Sequence, residues 1–143
     1  MSFVRIVRSL GTFIALLFLT AAAFGSGEKA VSNRNAKKIA PATPLAIYEK
    51  QVTDAIGPRW YAYTKARADM LTVGKVELKF RILADGRITG LKILSNTSNE
   101  AFANVCLQSV LEAKFPPIPE AVRRQLGHDF LDWDPMDFVM YPD

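Results

Sequence analysis

The chain has 143 residues, of which 50% are hydrophobic and 22% charged, and its formal net charge is +4. This length accommodates one domain with short extensions and excludes a TIM barrel, a paired dinucleotide-binding fold and a long repeat array. A single cysteine excludes a disulfide framework and a zinc site built from several thiolates. The sequence pI of about 9.3 raises the question of nucleic-acid binding, which depends on where the basic residues lie.

The first 25 residues have the three parts of a secretory signal. Arg5 and Arg8 lie in a basic region without acids, residues 10–24 are uncharged and strongly apolar, and small residues follow from Ala21. As a helix, this apolar segment reaches about 22 Å, less than the roughly 30 Å core of a bilayer. Residues 1–25 are therefore predicted to be a cleaved signal peptide, with a short N-terminal membrane anchor as the alternative. The protein contacts a membrane only if residues 10–24 stay uncleaved.

Residues 26–43 are predicted to form a flexible basic linker, because they carry four basic residues and one acid and show no apolar periodicity. Residues 41–143 contain 12 basic and 13 acidic residues, a net charge of −1. The excess positive charge thus belongs to the signal and the linker. No nucleic-acid partner is predicted for the folded domain.

Two helical segments are predicted ahead of the first strand of the domain. Thr43 and Pro44 suit a helix cap and a first helical position, so a helix is predicted to begin there. Gly57 and Pro58 are expected to stop or kink it, and a second helical stretch is expected to run to about Met70. The aromatic residues between positions 60 and 63 are interpreted as packing against a sheet, since the domain is not basic enough for base stacking.

The middle of the domain has the pattern of a β-hairpin followed by a helix. Apolar and charged residues alternate over residues 74–83, which indicates an antiparallel strand with one buried face. Asp85 and Gly86 predict a hairpin turn, and residues 88–94 supply the return strand. Thr97 and Glu100 have the spacing of a capping box, so a helix is predicted from there to about Lys114.

The C-terminal part begins with the extended connector Phe-Pro-Pro-Ile-Pro at residues 115–119. A short helix is predicted from Pro119 to Leu126, stopped by Gly127, and residues 137–142 are predicted to form a third strand. Residues 44–143 are therefore predicted to form an α+β domain, in which helices pack on one face of a small three-stranded antiparallel sheet.

The hairpin, the helix after it and the proline-rich connector together carry a family resemblance. The segments are residues 74–82, 85–88, 93–95, 99–102, 109–113 and 115–119, with Tyr48, Ile56 and Trp60 ahead of them. In order and spacing they resemble the periplasmic C-terminal domain of the TonB/TolA family, over roughly residues 48–141.

The resemblance implies a protein-binding module and not an enzyme. Family members capture an extended peptide at the edge of the sheet, where unpaired N–H and C=O groups accept another strand. By the family layout the last strand is this edge, and its predicted partner-binding residues are Asp137, Phe138, Val139, Met140 and Tyr141. Nearby acids are expected to suppress self-pairing and to favour basic partners. These acids are Asp129, Asp132, Asp134, Asp137 and Asp143.

The implied partner is a protein or peptide of the cell envelope, and the implied location is periplasmic or exported, with inner-membrane anchoring as the alternative. Two other functions stay open: a membrane-anchored TonB-type energy transducer, and a structural domain that homodimerises through its edge strand. The transducer is disfavoured, because the linker reaches at most ~60 Å when fully extended. Residues 10–24 also lack the polar histidine of TonB-type anchors.

No catalytic residue, cofactor or metal site is predicted. His128 is the only histidine, which leaves hydrolytic triads and imidazole-based metal sites without their components. The aspartates at 129–137 lack the spacing and the glycine of a calcium loop. Some TolA relatives have a disulfide between the first strand and the next helix, but the strand position here holds Val76. Cys106 is therefore expected to be a buried, unpaired thiol.

Overall fold

The computed structural model describes residues 4–8 and 41–142. The predicted signal peptide or anchor and the predicted linker lie almost entirely outside these residues, so both stay predictions. Within the described part of the chain, no helix combines the length and the apolar character that crossing a membrane requires. The helices are α1 (Pro44–Ala66), α2 (Glu100–Leu111) and α3 (Glu120–Leu126), and the strands are β1 (Val4–Arg8), β2 (Gly74–Ile82), β3 (Ile88–Asn96) and β4 (Leu131–Met140).

The strands form one antiparallel sheet in the order β1-β4-β2-β3. β2 and β3 are the predicted hairpin, and β4 pairs along the other side of β2, from Gly74 opposite Met140 to Ile82 opposite Leu131. The predicted α+β class is confirmed, and the three predicted strands adjoin one another as β4-β2-β3. β1 adds a fourth strand on the far side of β4.

The core lies between the helices and one face of the sheet. In β2 the predicted alternation holds, with apolar side chains buried and the charged ones on the opposite face, here called the open face. β4 also buries alternate residues, but its alternation shifts by one position between Trp133 and Met136. The buried residues of the two strands are Val76, Leu78, Phe80, Ile82, Leu131, Trp133, Met136 and Phe138. Helix α1 covers them with a stripe at four-residue spacing, Tyr48, Val52, Ile56, Trp60 and Thr64.

Gly57 and Pro58 are predicted to stop or kink the first helix, and the predicted stop is wrong. Thr43 caps α1 as expected, its side chain accepting a hydrogen bond from the Ala46 N–H, but the helix continues through Pro58 to Ala66. Proline removes one backbone hydrogen bond and crowds the preceding turn. The buried stripe on both sides of Pro58 offsets that cost, because breaking the helix would withdraw the fully buried Trp60 from the core.

Helix α2 begins later than the capping-box pattern predicts. Its cap is Asn99, whose side chain accepts a hydrogen bond from the Phe102 N–H at 3.0 Å. The Thr97 hydroxyl instead accepts a hydrogen bond from the Lys75 N–H at 2.8 Å, which ties the end of the hairpin to the start of β2. The helix ends at Leu111, three residues before the predicted position.

The proline-rich connector is extended, as predicted, and packs beside the hairpin turn. Phe115 stacks on Phe80 with ring centroids 6.4 Å apart, and the Tyr48 hydroxyl donates to the Pro116 carbonyl at 2.8 Å. The Ile118 N–H donates to the Ala84 carbonyl at 2.9 Å. α3 then ends at Gly127, which has the left-handed backbone conformation predicted for a helix stop.

Two buried acidic groups make the fold sensitive to alkali. Burial raises the pKa of the Cys106 thiol from 9.0 to about 12, and that of the Tyr48 hydroxyl from 10.0 to about 12. The folded chain therefore holds both protons more tightly than the unfolded chain. Stability is fully present below about pH 9 and falls as the pH rises towards 12, by up to about 1.4 kcal/mol per pH unit for the thiol.

Replacing Cys106 by alanine is expected to flatten this decline between pH 9 and pH 10, where the thiol is the more ionised of the two groups in the unfolded chain. Urea unfolding at half-unit pH intervals measures the slope, which does not depend on the constant cost of the small cavity. Cys106→Ala with an unaltered slope in that window contradicts the assignment.

Candidate functional site

The predicted partner-binding residues lie at the C-terminal end of β4, and the structure separates their roles. Phe138 is fully buried on the helix side of the sheet, whereas Asp137 and Val139 belong to the open face. Met140 is half-buried and ends the strand, and Tyr141 lies beyond it, 45% exposed. The side chain of Phe138 is therefore committed to the core. A partner strand meets mainly the backbone of β4 and its open-face side chains.

The side of β4 that faces away from β2, here called the outer edge of β4, is paired with β1 over residues 136–140. The ladder runs from Val4 opposite Met140 to Arg8 opposite Met136, five consecutive pairs without an irregularity. By contrast, the pairing of β2 with β3 contains two register shifts. Bulges and shifts interrupt an edge and discourage strand addition. Over residues 136–140, the outer edge of β4 is thus a regular surface for an additional strand, and in this structure β1 lies on it.

Most of the acids around β4 already have basic partners. Arg81 on β2 donates two hydrogen bonds to Asp132, at 2.6 and 2.9 Å, and these hold the pKa of that carboxyl below its usual range. Lys79 Nζ lies 3.1 Å from Asp134 Oδ2. The Arg81 guanidinium also lies over the Phe130 ring, 3.8 Å from its centroid.

The acids predicted to favour a basic partner thus have basic groups of the same chain beside them. The sequence around them contains no basic residue, but the neighbouring strand β2 supplies two cations, and Arg123 of α3 lies 3.4 Å from Asp129. The partners come from 6 to 55 positions away along the chain, which sequence proximity does not reveal. Asp143 lies outside the described residues. The fourth described acid of this group, Asp137, has a more distant basic neighbour, Lys75, at 3.9 Å.

Asp137 is held in an unfavourable environment. Its side chain is 15% exposed, and burial raises the pKa of its carboxyl above the ordinary value. Glu77 of β2 is directly opposite it in the ladder, so two like charges face each other. Lys75 is the nearby cation, 2.5 Å from Glu77 Oε1 but 3.9 Å from Asp137 Oδ2. Asp137 Oδ1 is buried and has no hydrogen-bond partner among the described residues.

Part of the chain matches a known protein family. Residues 61–129 match the family model described as the C-terminal domain of the Gram-negative bacterial TonB protein. This region is similar to the TonB C-terminal family. The match covers the end of α1, the hairpin, α2 and α3, and stops just before β4. No curated protein matches the sequence.

A solved TonB C-terminal domain is also similar to this chain. The NMR solution structure of the Helicobacter pylori TonB C-terminal domain has a TM-score of 0.49 and 20% sequence identity to it. The similar region covers 82% of this chain and 100% of that one. The family-model match over residues 61–129 confirms the predicted resemblance to the TonB family.

TonB C-terminal domains are periplasmic domains of Gram-negative bacteria that interact with outer-membrane proteins, and the family is not an enzyme family. Over residues 4–8 and 41–142, no three potential ligands cluster in a way that could hold a metal ion. The exposed His128 stacks on Phe130 with centroids 4.0 Å apart, and Cys106 is a buried free thiol, as expected. Neither residue lies on the outer edge of β4.

Proposed function

We propose that this chain is an exported periplasmic protein-binding module, whose TonB C-terminal domain captures an extended partner peptide by strand addition at the outer edge of β4. The observation that carries the proposal is the regular five-residue ladder on that edge, which is formed by a segment far away in sequence. Backbone pairing supplies the affinity in strand addition and is largely independent of the added sequence. An edge that takes Val4–Arg8 offers the same groups to a partner.

The partner takes the place of β1 in this mechanism. Removal of residues 1–25, as predicted for a signal peptide, deletes β1 and leaves the backbone groups of residues 136–140 unpaired. Unpaired edge groups on a long, regular strand favour the addition of another strand. The envelope partner is then an outer-membrane protein with an accessible extended segment, in keeping with the interactions of the family.

A photocrosslinking amino acid introduced at Val139 tests the proposal in living Gram-negative cells. Val139 lies on β4, and Lys92 provides a matched control on the open face of β3, two strands away. Irradiation is expected to join position 139 to an outer-membrane protein, identified by mass spectrometry, and to give at least about tenfold less of that adduct from position 92. Equal adducts from both positions contradict strand addition at β4.

The same experiment distinguishes capture of a partner peptide from homodimerisation through the edge strand. An adduct from position 139 that contains only a second copy of this chain, and whose yield falls when the chain is expressed at a lower level, favours homodimerisation through β4 over capture of a peptide. An adduct with an outer-membrane protein as its only partner excludes homodimerisation through this edge.

The anchored transducer is the remaining alternative, and the N-terminus of the protein in cells distinguishes it. The apolar segment at residues 10–24 is short for a bilayer, so we expect a mature chain that begins near residue 26. A chain that retains Met1 and sediments with the inner membrane supports the transducer instead.

A further inference from the structure

On the side of β2, no described group donates a hydrogen bond to the Asp137 Oδ1 atom. Glu77 faces it directly across the ladder, and Lys75 lies closer to Glu77 than to Asp137. One ammonium group therefore serves two carboxylates, and Asp137 Oδ1 stays buried without a hydrogen bond among the described residues. A buried charged acceptor without a donor is costly, and a donor on a strand added at the outer edge of β4 would reduce that cost.

The register of β1 places no side-chain donor directly opposite Asp137. The residue directly opposite Asp137 is Val7, and valine has no side-chain donor. The two basic residues of the strand stand at other positions, Arg5 opposite Val139 and Arg8 opposite Met136. Side chains directly opposite in an antiparallel pair have Cβ atoms only about 4.5–5.5 Å apart, which is within reach of a Lys or Arg side chain.

We infer that Asp137 selects the strand that occupies the outer edge of β4, by favouring an extended segment with Lys or Arg at the register position opposite it. Val4–Arg8 places valine at that register position and is therefore a weaker occupant of the same edge. The inference rests on the proposed strand addition and adds the chemistry of the preferred partner. A charge-assisted hydrogen bond to a buried carboxylate corresponds to an affinity gain of about tenfold or more.

The first test uses the full chain and needs no external partner. Val7→Lys places an ammonium group opposite Asp137, and Val7→Met is the control of similar length without charge. Hydrogen exchange of the β4 amides at residues 136–140 is expected to be about tenfold slower in Val7→Lys than in Val7→Met. Asp137→Asn, combined with each, is expected to remove most of the difference. Equal exchange rates in the two Val7 variants overturn the inference.

The second test uses synthetic peptides on a full chain in which Ile6→Pro and Val7→Pro open the internal strand. Proline at two adjacent positions removes at least one ladder donor, whichever residue faces β4. One peptide contains Val-Arg-Ile-Val-Arg and the other Val-Arg-Ile-Lys-Arg. The lysine peptide is expected to bind about tenfold more tightly, with shifted amide signals of residues 136–140, and to lose this advantage in Asp137→Asn.

The outcomes separate the inference from the function on which it rests. If both peptides shift the β4 amide signals and bind with equal affinity, strand addition stands and selection by Asp137 is wrong. If neither peptide perturbs those signals at millimolar concentration, strand addition at β4 fails, and the inference fails with it. A lysine advantage that survives Asp137→Asn also overturns the inference, because another acid then accounts for it.

Discussion

Replacing Trp60 by alanine is expected to lower the free energy of unfolding by about 3–5 kcal/mol. Its side chain is fully buried at the centre of the helix–sheet interface. The indole lies 6.0 Å from Phe102 of α2 and 5.9 Å from Phe138 of β4, measured between ring centroids. Truncation therefore removes a contact shared by α1, α2 and β4 and leaves a cavity among three elements that cannot collapse together.

Urea unfolding of purified variants measures this effect. Leu111→Ala is the control, because Leu111 is 63% exposed at the end of α2, and its truncation is expected to change stability by no more than about 0.5 kcal/mol. Trp60→Phe should give an intermediate loss, since it keeps an aromatic ring in the site. A loss below about 1 kcal/mol for Trp60→Ala contradicts the placement of this side chain in the core.

Gly86→Ala is expected to destabilise the domain by about 3 kcal/mol or more. Gly86 has a φ of 88°, in the region that side chains disfavour. A Cβ atom there lies 2.4 Å from the Phe115 carbonyl oxygen and 3.0 Å from that of Pro116. Both neighbours are backbone atoms of the connector, so the hairpin turn and the connector have to move apart. That movement strains the hydrogen bond from Ile118 to Ala84 and the stack of Phe115 on Phe80.

The matched control is Gly90→Ala in the same hairpin. Gly90 also has a positive φ, 65°, but a Cβ atom there has no neighbour within 4 Å. Its replacement is expected to cost only the conformational strain, about 1–2 kcal/mol. The difference between the two variants isolates the steric contact with the connector. Equal losses in thermal or urea unfolding indicate that the connector does not pack against Gly86 as described.

The local spacing of apolar and charged residues predicts much of the fold, because it indicates which side of each segment is buried. The alternation in residues 74–83 and the turn at Asp85 and Gly86 predict the hairpin. In a strand with this alternation, only one orientation buries the apolar side chains and exposes the charged ones. The continuity of α1 through Pro58 is missed, because it depends on a core that forms only in the folded chain. The start of β4 is also missed: Leu131 and Trp133 alternate with Asp132 and Asp134, but the acids suggest a solvated loop.

The candidate site is less accessible to sequence reasoning than the fold. Its location on the last strand follows from the family resemblance. The crowding of Asp137 by Glu77, however, depends on the register between strands sixty residues apart, which no local pattern encodes. The pairing of Val4–Arg8 with β4 is equally non-local, and the sequence of that segment carries the stronger signal of a signal peptide. Long-range register is thus the information that the structure adds.

The position of β4 within the sheet also has a consequence for biosynthesis. The last strand to be made lies next to β2, and it contributes Leu131, Trp133, Met136 and Phe138 to the core. A nascent chain that has reached residue 130 therefore lacks the strand that pairs with the outer side of β2 and four buried side chains of the core. Such non-local pairing also forms slowly. In the export that we propose, this arrangement delays completion of the core until the last strand has been made.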